Sequence, residues 1–203
     1  MLLWFPRQWL RVGRTVVVLP NLRKRMQASH DPRDLSLRWR EEFFKARNWV
    51  DLLRAAIGGV GLVHVCVELS GSAVRELGFS VLIIKAMILV IAVALQTVRI
   101  EYKRMTLVAP VFFIFGLSFP LIGWMPALFA IIMVWVINRT LPTVSMFLFA
   151  FAALQLGFGY NLRYSSLMMV LLSAGLAWMP VLWSAATHRR LERMAKTRTS
   201  SRS

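Results

Sequence analysis

Residues 106–137 read TLVAPVFFIFGLSFPLIGWMPALFAIIMVWVI, an uncharged run broken by Pro110, Pro120 and Pro126. As one helix its roughly 32 residues would extend about 48 Å, against a hydrocarbon core of about 30 Å. A single crossing of that length needs severe tilt. Phe119-Pro120 and Gly123-Trp124-Met125-Pro126 instead read as a turn at an interface, because the residue before proline disfavours helix and glycine permits a sharp reversal. The stretch therefore predicts two short spans. The competing readings are one overlong kinked helix or a re-entrant hairpin that crosses nothing.

Four further apolar runs flank this one, over residues 50–69, 78–98, 143–158 and 165–186. With 106–137 counted twice there are six spans, and the cations then sort by side. One face receives the N-terminal segment, Arg99, Lys103, Arg104, Arg139 and the tail with Arg189, Arg190, Arg193, Lys196, Arg198 and Arg202. The other receives only Arg75 and Arg163. An excess of Lys and Arg marks the cytoplasmic side. Both termini are thus expected in the cytoplasm, and the location expected is a bacterial inner membrane. Counting 106–137 as one span breaks this parity. Trp49 and Tyr102 on the inner side, with Trp124, Tyr160 and Tyr164 on the outer, suit the interfaces. Trp135 and Trp178 fall deeper and need packing partners or lipid.

Composition supports the same class. The chain has 203 residues, is 58% hydrophobic and carries a net charge of +16. Soluble domains hold roughly 45–50% apolar residues. A charge this positive fits anionic lipid or nucleic acid. The cations crowd the ends and the short connections, which favours topology and lipid headgroups over nucleic acid. The one cysteine, Cys66, forms no intrachain disulfide and reads as a small core residue. Pro6 and Arg7 interrupt the first apolar residues, so no cleavable signal is expected there.

Three regions follow: a basic amphipathic segment at 1–49, a bundle at 50–186 and a basic disordered tail at 187–203. In the first, Leu2, Leu3, Trp4, Phe5, Trp9 and Leu10 mix with Arg7, Arg11 and Arg14, as in a segment lying in the headgroup layer. Asp31 can cap a helix whose first residue is Pro32. Leu35, Trp39, Phe43, Ala46 and Val50 then recur at helical spacing, with Arg38, Glu41, Lys45 and Asp51 on another face and a Glu41–Lys45 pair at i,i+4. The expected element is an interfacial helix bending into the first span. Arg23, Lys24, Arg25, Arg38 and Arg40 are the candidate contacts to anionic lipid or a partner protein.

Charges at membrane depth are costly and mark function by default. His64, Glu68 and Lys85 qualify. His64 and Glu68 share a helix face, and a tight hairpin between the first two spans brings Glu68 toward Lys85. Such a cluster is either a structural ion pair or a proton or ion relay. Metal binding needs further ligands that the spans do not supply at this depth, so none is expected. Arg54, at the inner end of the first span, is expected to snorkel to phosphates. Small residues at Ala55, Gly59, Ala152, Gly159, Ser173 and Ala174 mark close helix contacts, and Gln155 or Ser173 can bond across them.

Enzyme signatures are weak. An intramembrane serine protease needs a G-x-S-G serine and a histidine in a later span. Here Ser118 is followed by Phe119, and no span after the first contains histidine. Gly58-Gly59-Val60-Gly61 lacks the Lys-Ser/Thr of a phosphate loop. The expected fold is all-α: a polytopic membrane bundle of six transmembrane helices with an N-terminal interfacial amphipathic helix. The expected function is that of a non-enzymatic, cofactor-free membrane subunit or scaffold, associating with other membrane subunits or with itself. The alternative is a small transporter with a path near His64, Glu68 and Lys85.

Overall fold

The computed structural model describes Leu3 and residues 42–71, 77–101, 104–188 and 191–192. Six helices dominate: α1 (Ala46–Gly71), α2 (Leu77–Thr97), α3 (Val111–Ile122), α4 (Trp124–Ile137), α5 (Val144–Leu162) and α6 (Leu167–Ala186). Of these, α1, α2, α5 and α6 are long and apolar enough to cross a membrane. No more than 39% of any of these four spans is buried within the chain. Their remaining apolar surface, including Ile57, Val60, Phe79, Ile84 and Leu182, faces outward. Outward apolar faces of that extent are compatible with a lipid solvent.

The expected turn within residues 106–137 is present. Gly123 sits between α3 and α4 with φ 90, a conformation that favours glycine. Pro120 lies in the last turn of α3 and Pro126 in the first turn of α4. The helices are shorter than two full crossings. With 12 and 14 residues, α3 and α4 extend about 18 and 21 Å. A 3-10 turn, Asn138–Thr140, continues α4.

The all-helical expectation needs one amendment, a small three-stranded sheet. Strands β1 (Val98–Glu101) and β2 (Arg104–Val108) form an antiparallel hairpin, with Val98 opposite Leu107 and Glu101 opposite Arg104. Strand β3 (Leu191–Glu192) adds parallel to β2 at Leu107 and Val108. Thr106, Leu107 and Val108 thus belong to a strand and not to a span. Proline at 110 biases the preceding residue away from helix, and β-branched residues suit the pleated surface.

The core is built around α3, of which Val111 to Ser118, Leu121 and Ile122 are buried. All five other helices contact it. Helix α1 runs alongside in parallel: a Cβ on Gly116 would overlap the Leu52 carbonyl oxygen and Ala55, and one on Gly59 would lie 2.6 Å from Pro120 Cγ. The expected small-residue contact of Ala55 and Gly59 is therefore made with α3. Phe115 meets Phe151 of α5 at 4.7 Å between ring centroids, and Trp135 meets Phe147 at 5.1 Å and Phe43 at 5.2 Å. Trp178 stacks on Phe149 at 5.4 Å. The two deep tryptophans thus have aromatic partners.

These contacts collect the helix ends into two groups. The starts of α1, α3 and α5 lie with the ends of α2, α4 and α6, joined by Phe43–Phe112, Phe43–Trp135, Trp135–Phe147 and the sheet. At the opposite end the Gly123 turn abuts Tyr164, and the Ser165 hydroxyl donates to the Leu121 carbonyl at 2.7 Å. Helices α3 and α4 therefore form an antiparallel hairpin aligned with the α5–α6 hairpin.

The expected interfacial helix lies largely outside the described residues. Of the segment before residue 42, Leu3 is described. It is buried against Gly58, about 18 Å along α1 from Ala46. Gly58 leaves no room there for a side chain of its own, since a Cβ would fall 2.8 Å from Leu3 Cγ.

Candidate functional site

Buried polar groups in an apolar bundle are the first place to look for function, because each needs a partner to offset lost hydration. Lys85, midway through α2, is 4% exposed, and its Nζ lies 4.0 Å from Met169 Sδ of α6. The structure thus brings Lys85 to α6. His64 is exposed on α1. Glu68 belongs to α1, and its side chain lies outside the described residues. Cys66 is buried, as expected of a core residue. Arg23, Lys24, Arg25, Arg38 and Arg40 lie outside the described residues. Among the described residues no three His, Cys, Asp or Glu side chains are grouped to hold a metal ion.

A more extensive polar cluster forms where the chain enters α1. The Glu42 carboxylate accepts from Lys45 Nζ at 2.6 Å and from Asn48 Nδ2 at 2.8 Å. Asn48 Nδ2 also reaches the Glu42 carbonyl at 2.9 Å, and Trp49 Nε1 donates to the Phe43 carbonyl at 2.7 Å. These bonds tie the segment before the helix to its first turn, the Asn48 amide and the Trp49 indole donating to the carbonyls of Glu42 and Phe43. One turn on, Arg54 pairs with Asp51 at 3.3 Å, both side chains being under 10% exposed, and its guanidinium lies 5.5 Å from the Phe113 ring. Arg54 therefore turns inward to Asp51 and an aromatic face, in place of the expected reach toward phosphates. A planar guanidinium suits both contacts. The i,i+3 spacing of Asp51 and Arg54 was visible in the sequence; that Phe113 would cover the pair was not.

Between α5 and α6 the expected polar contact forms. The Ser173 hydroxyl donates to Gln155 Oε1 at 3.2 Å, with Gln155 fully buried. Gln155 Nε2 and the indole nitrogens of Trp135 and Trp178 are buried without a hydrogen-bond partner among the described residues. Each such group costs about 1–3 kcal/mol. Ser118 is buried too, and its hydroxyl donates to the Phe115 carbonyl within its own helix at 2.7 Å. This keeps Ser118 inside the α3 ladder, in a wall of aromatic side chains.

Carboxylates face cations or amides, and the serines donate to oxygen atoms already in the helices. Comparison of the chain with protein-family models, with curated proteins and with solved structures finds no match.

Proposed function

We propose that this chain is a non-enzymatic integral membrane subunit or scaffold with six passages and both termini in the cytoplasm of a bacterial inner-membrane cell face. The observation that carries this reading is the filled centre. Helix α3 is enclosed by its neighbours, with its own Phe112, Phe113 and Phe115 buried and Phe115 meeting Phe147 and Phe151 of α5, while the long helices keep broad apolar faces outward. A bundle packed this way has surface to offer to lipid and to neighbouring subunits. The hairpin geometry of α3 and α4 supports six passages, each of the two short helices being extended by flanking residues. The grouping of helix ends supports placing the basic segments on one side. Those segments, with Arg23, Lys24, Arg25, Arg38 and Arg40, are proposed to bind anionic lipid or a cytoplasmic partner.

Native purification in a mild detergent tests the subunit reading. A second polypeptide at fixed stoichiometry is the expected result. A single monodisperse species of this chain, recovered from its native membrane, would contradict it.

Lys85 supports a second reading, a proton or ion path using His64 and Glu68. A lysine 4% exposed with a thioether as its neighbour is unusual for a purely structural cation. Reconstituted vesicles should then show a flux lost in Glu68→Gln and Lys85→Met; equal flux in wild type, variants and empty vesicles would remove it.

A further inference from the structure

Lys85 is buried, and its one polar contact among the described residues is the Met169 thioether at 4.0 Å. Sulfur is a weak acceptor and carries no charge, so it does not replace a counter-ion. Arg54, the other buried cation described in a long helix, has Asp51 beside it. An ammonium enclosed by apolar side chains needs an anion of its own.

Met169 shows where that ammonium points. It is the third residue of α6, which begins at Leu167 after Ser166. Lys85 lies eight residues past the start of α2, about 12 Å along it. Side chains on a helix lean toward its N-terminus, so the lysine reaches back to the end of the bundle where α2, α4 and α6 begin. Tyr164 abuts the Gly123 turn at this same end.

The start of α6 is open. Ser166 makes no side-chain hydrogen bond to it. The N–H groups of Met169 and Val170 both donate to the Ser166 carbonyl, and those of Leu167 and Met168 have no acceptor within the helix. The Ser165 hydroxyl is turned away, donating to the Leu121 carbonyl. Ser166, Leu167 and Met168 are exposed, so a ligand can approach this turn from outside. Met169, half-buried and unbranched, is the side chain that an entering oxygen atom would displace. A helix of 20 residues concentrates partial positive charge at its first turn. The described side chains at this end include Lys85 and Arg163 and no acid.

We propose that Lys85 and the first turn of α6 form a binding site for a phosphate group. Lys85 Nζ supplies the charge, and the Leu167 and Met168 N–H groups supply the orienting hydrogen bonds. The phosphate belongs either to an anionic lipid headgroup or to the free ion. The site uses neither His64 nor Glu68 and is independent of the subunit reading; only a place in the outer leaflet rests on the six passages. The test uses the full chain in a non-ionic detergent, its lysines labelled with carbon-13 at Cε, and the Lys85 resonance is identified by its loss in Lys85→Met. Potassium phosphate and dioctanoyl phosphatidylglycerol are added separately, against potassium chloride at matched ionic strength and dioctanoyl phosphatidylcholine. The Lys85 signal should shift saturably with at least one phosphate probe and stay in place with both references. The probe that saturates at the lower concentration identifies the source. Leu167→Pro deletes one N–H at a position where proline suits a helix, and Ser166, at φ −65 and ψ 148, already has the conformation required before it. The midpoint should rise several-fold in this variant. If Leu167→Pro does not fold, Ser166→Asp places a carboxylate on the same N–H groups and should abolish the shift. A Lys85 signal that moves with neither probe, or a midpoint unchanged in the folded variant, would overturn the site. So would a shift seen only in Glu68→Gln or Glu76→Gln, whose side chains lie outside the described residues, because an acid of this chain would then already hold the ammonium.

Discussion

Arg54 and Asp51 show how the chain handles charge inside an apolar helix pair. The pair is buried between α1 and the Phe113 ring, where desolvation offsets most of the Coulomb attraction. Asp51→Ala leaves a guanidinium buried without its carboxylate and should cost about 3–5 kcal/mol, read from unfolding in detergent. The double variant Asp51→Leu with Arg54→Met should recover most of that loss. A double variant as unstable as the single one would show that the ion pair is not what the site needs. A second contrast concerns glycine. Gly116→Ala drives a Cβ into the Leu52 carbonyl and should cost about 1–3 kcal/mol or more. Gly157→Ala meets open space and should be neutral or stabilising by up to about 1 kcal/mol. Equal effects of the two in thermal unfolding would refute the α1–α3 register. At this scale the sequence was partly readable. Gln155 and Ser173 were recognisable as polar groups able to bond across small-residue surfaces, because helix spacing and chemistry sufficed. The direction of Arg54 was not, since a cation near a helix end can turn to water or inward and only a distant ring decides.

At the scale of elements, α3 and its turn organise the rest. The long apolar runs gave away α1, α2, α5 and α6 to within a few residues at most ends, because length and the absence of charge are set by the sequence itself. The start of α3 was hidden. Thr106, Leu107 and Val108 look like a continuation of an apolar helix, and short apolar runs do not distinguish strand from helix. Their pairing with Val98 and with Leu191 comes from residues on either side of the run, beyond the reach of periodicity. The turn was legible because glycine between two prolines has few other uses. Gly123→Ala should cost about 1–3 kcal/mol, since φ 90 with ψ 159 is nearly reserved for glycine and Tyr164 lies 3.2 Å from the new Cβ. A melting temperature unchanged in this variant would mean that the turn is not held in that conformation.

For the whole molecule, the arrangement links an aromatic centre with outward apolar faces. The Phe43–Trp135–Phe147 contacts hold the entry to α1, the exit of α4 and the entry to α5 together, and the sheet adds the chain beyond α6. On the six passages proposed, Arg139 and the C-terminus share one face, and the Gly123 turn and Arg163 share the other. Single cysteines introduced in a Cys66→Ala background at Trp124, Arg139, Arg163 and Ser203, probed with a membrane-impermeant thiol reagent on intact cells, test this most directly. Cysteines in place of Trp124, an exposed residue beside the turn, and of Arg163 should label from outside, while those in place of Arg139 and Ser203 should label only after the membrane is opened. Labelling that puts Trp124 and Arg139 on the same face would contradict the six-passage bundle.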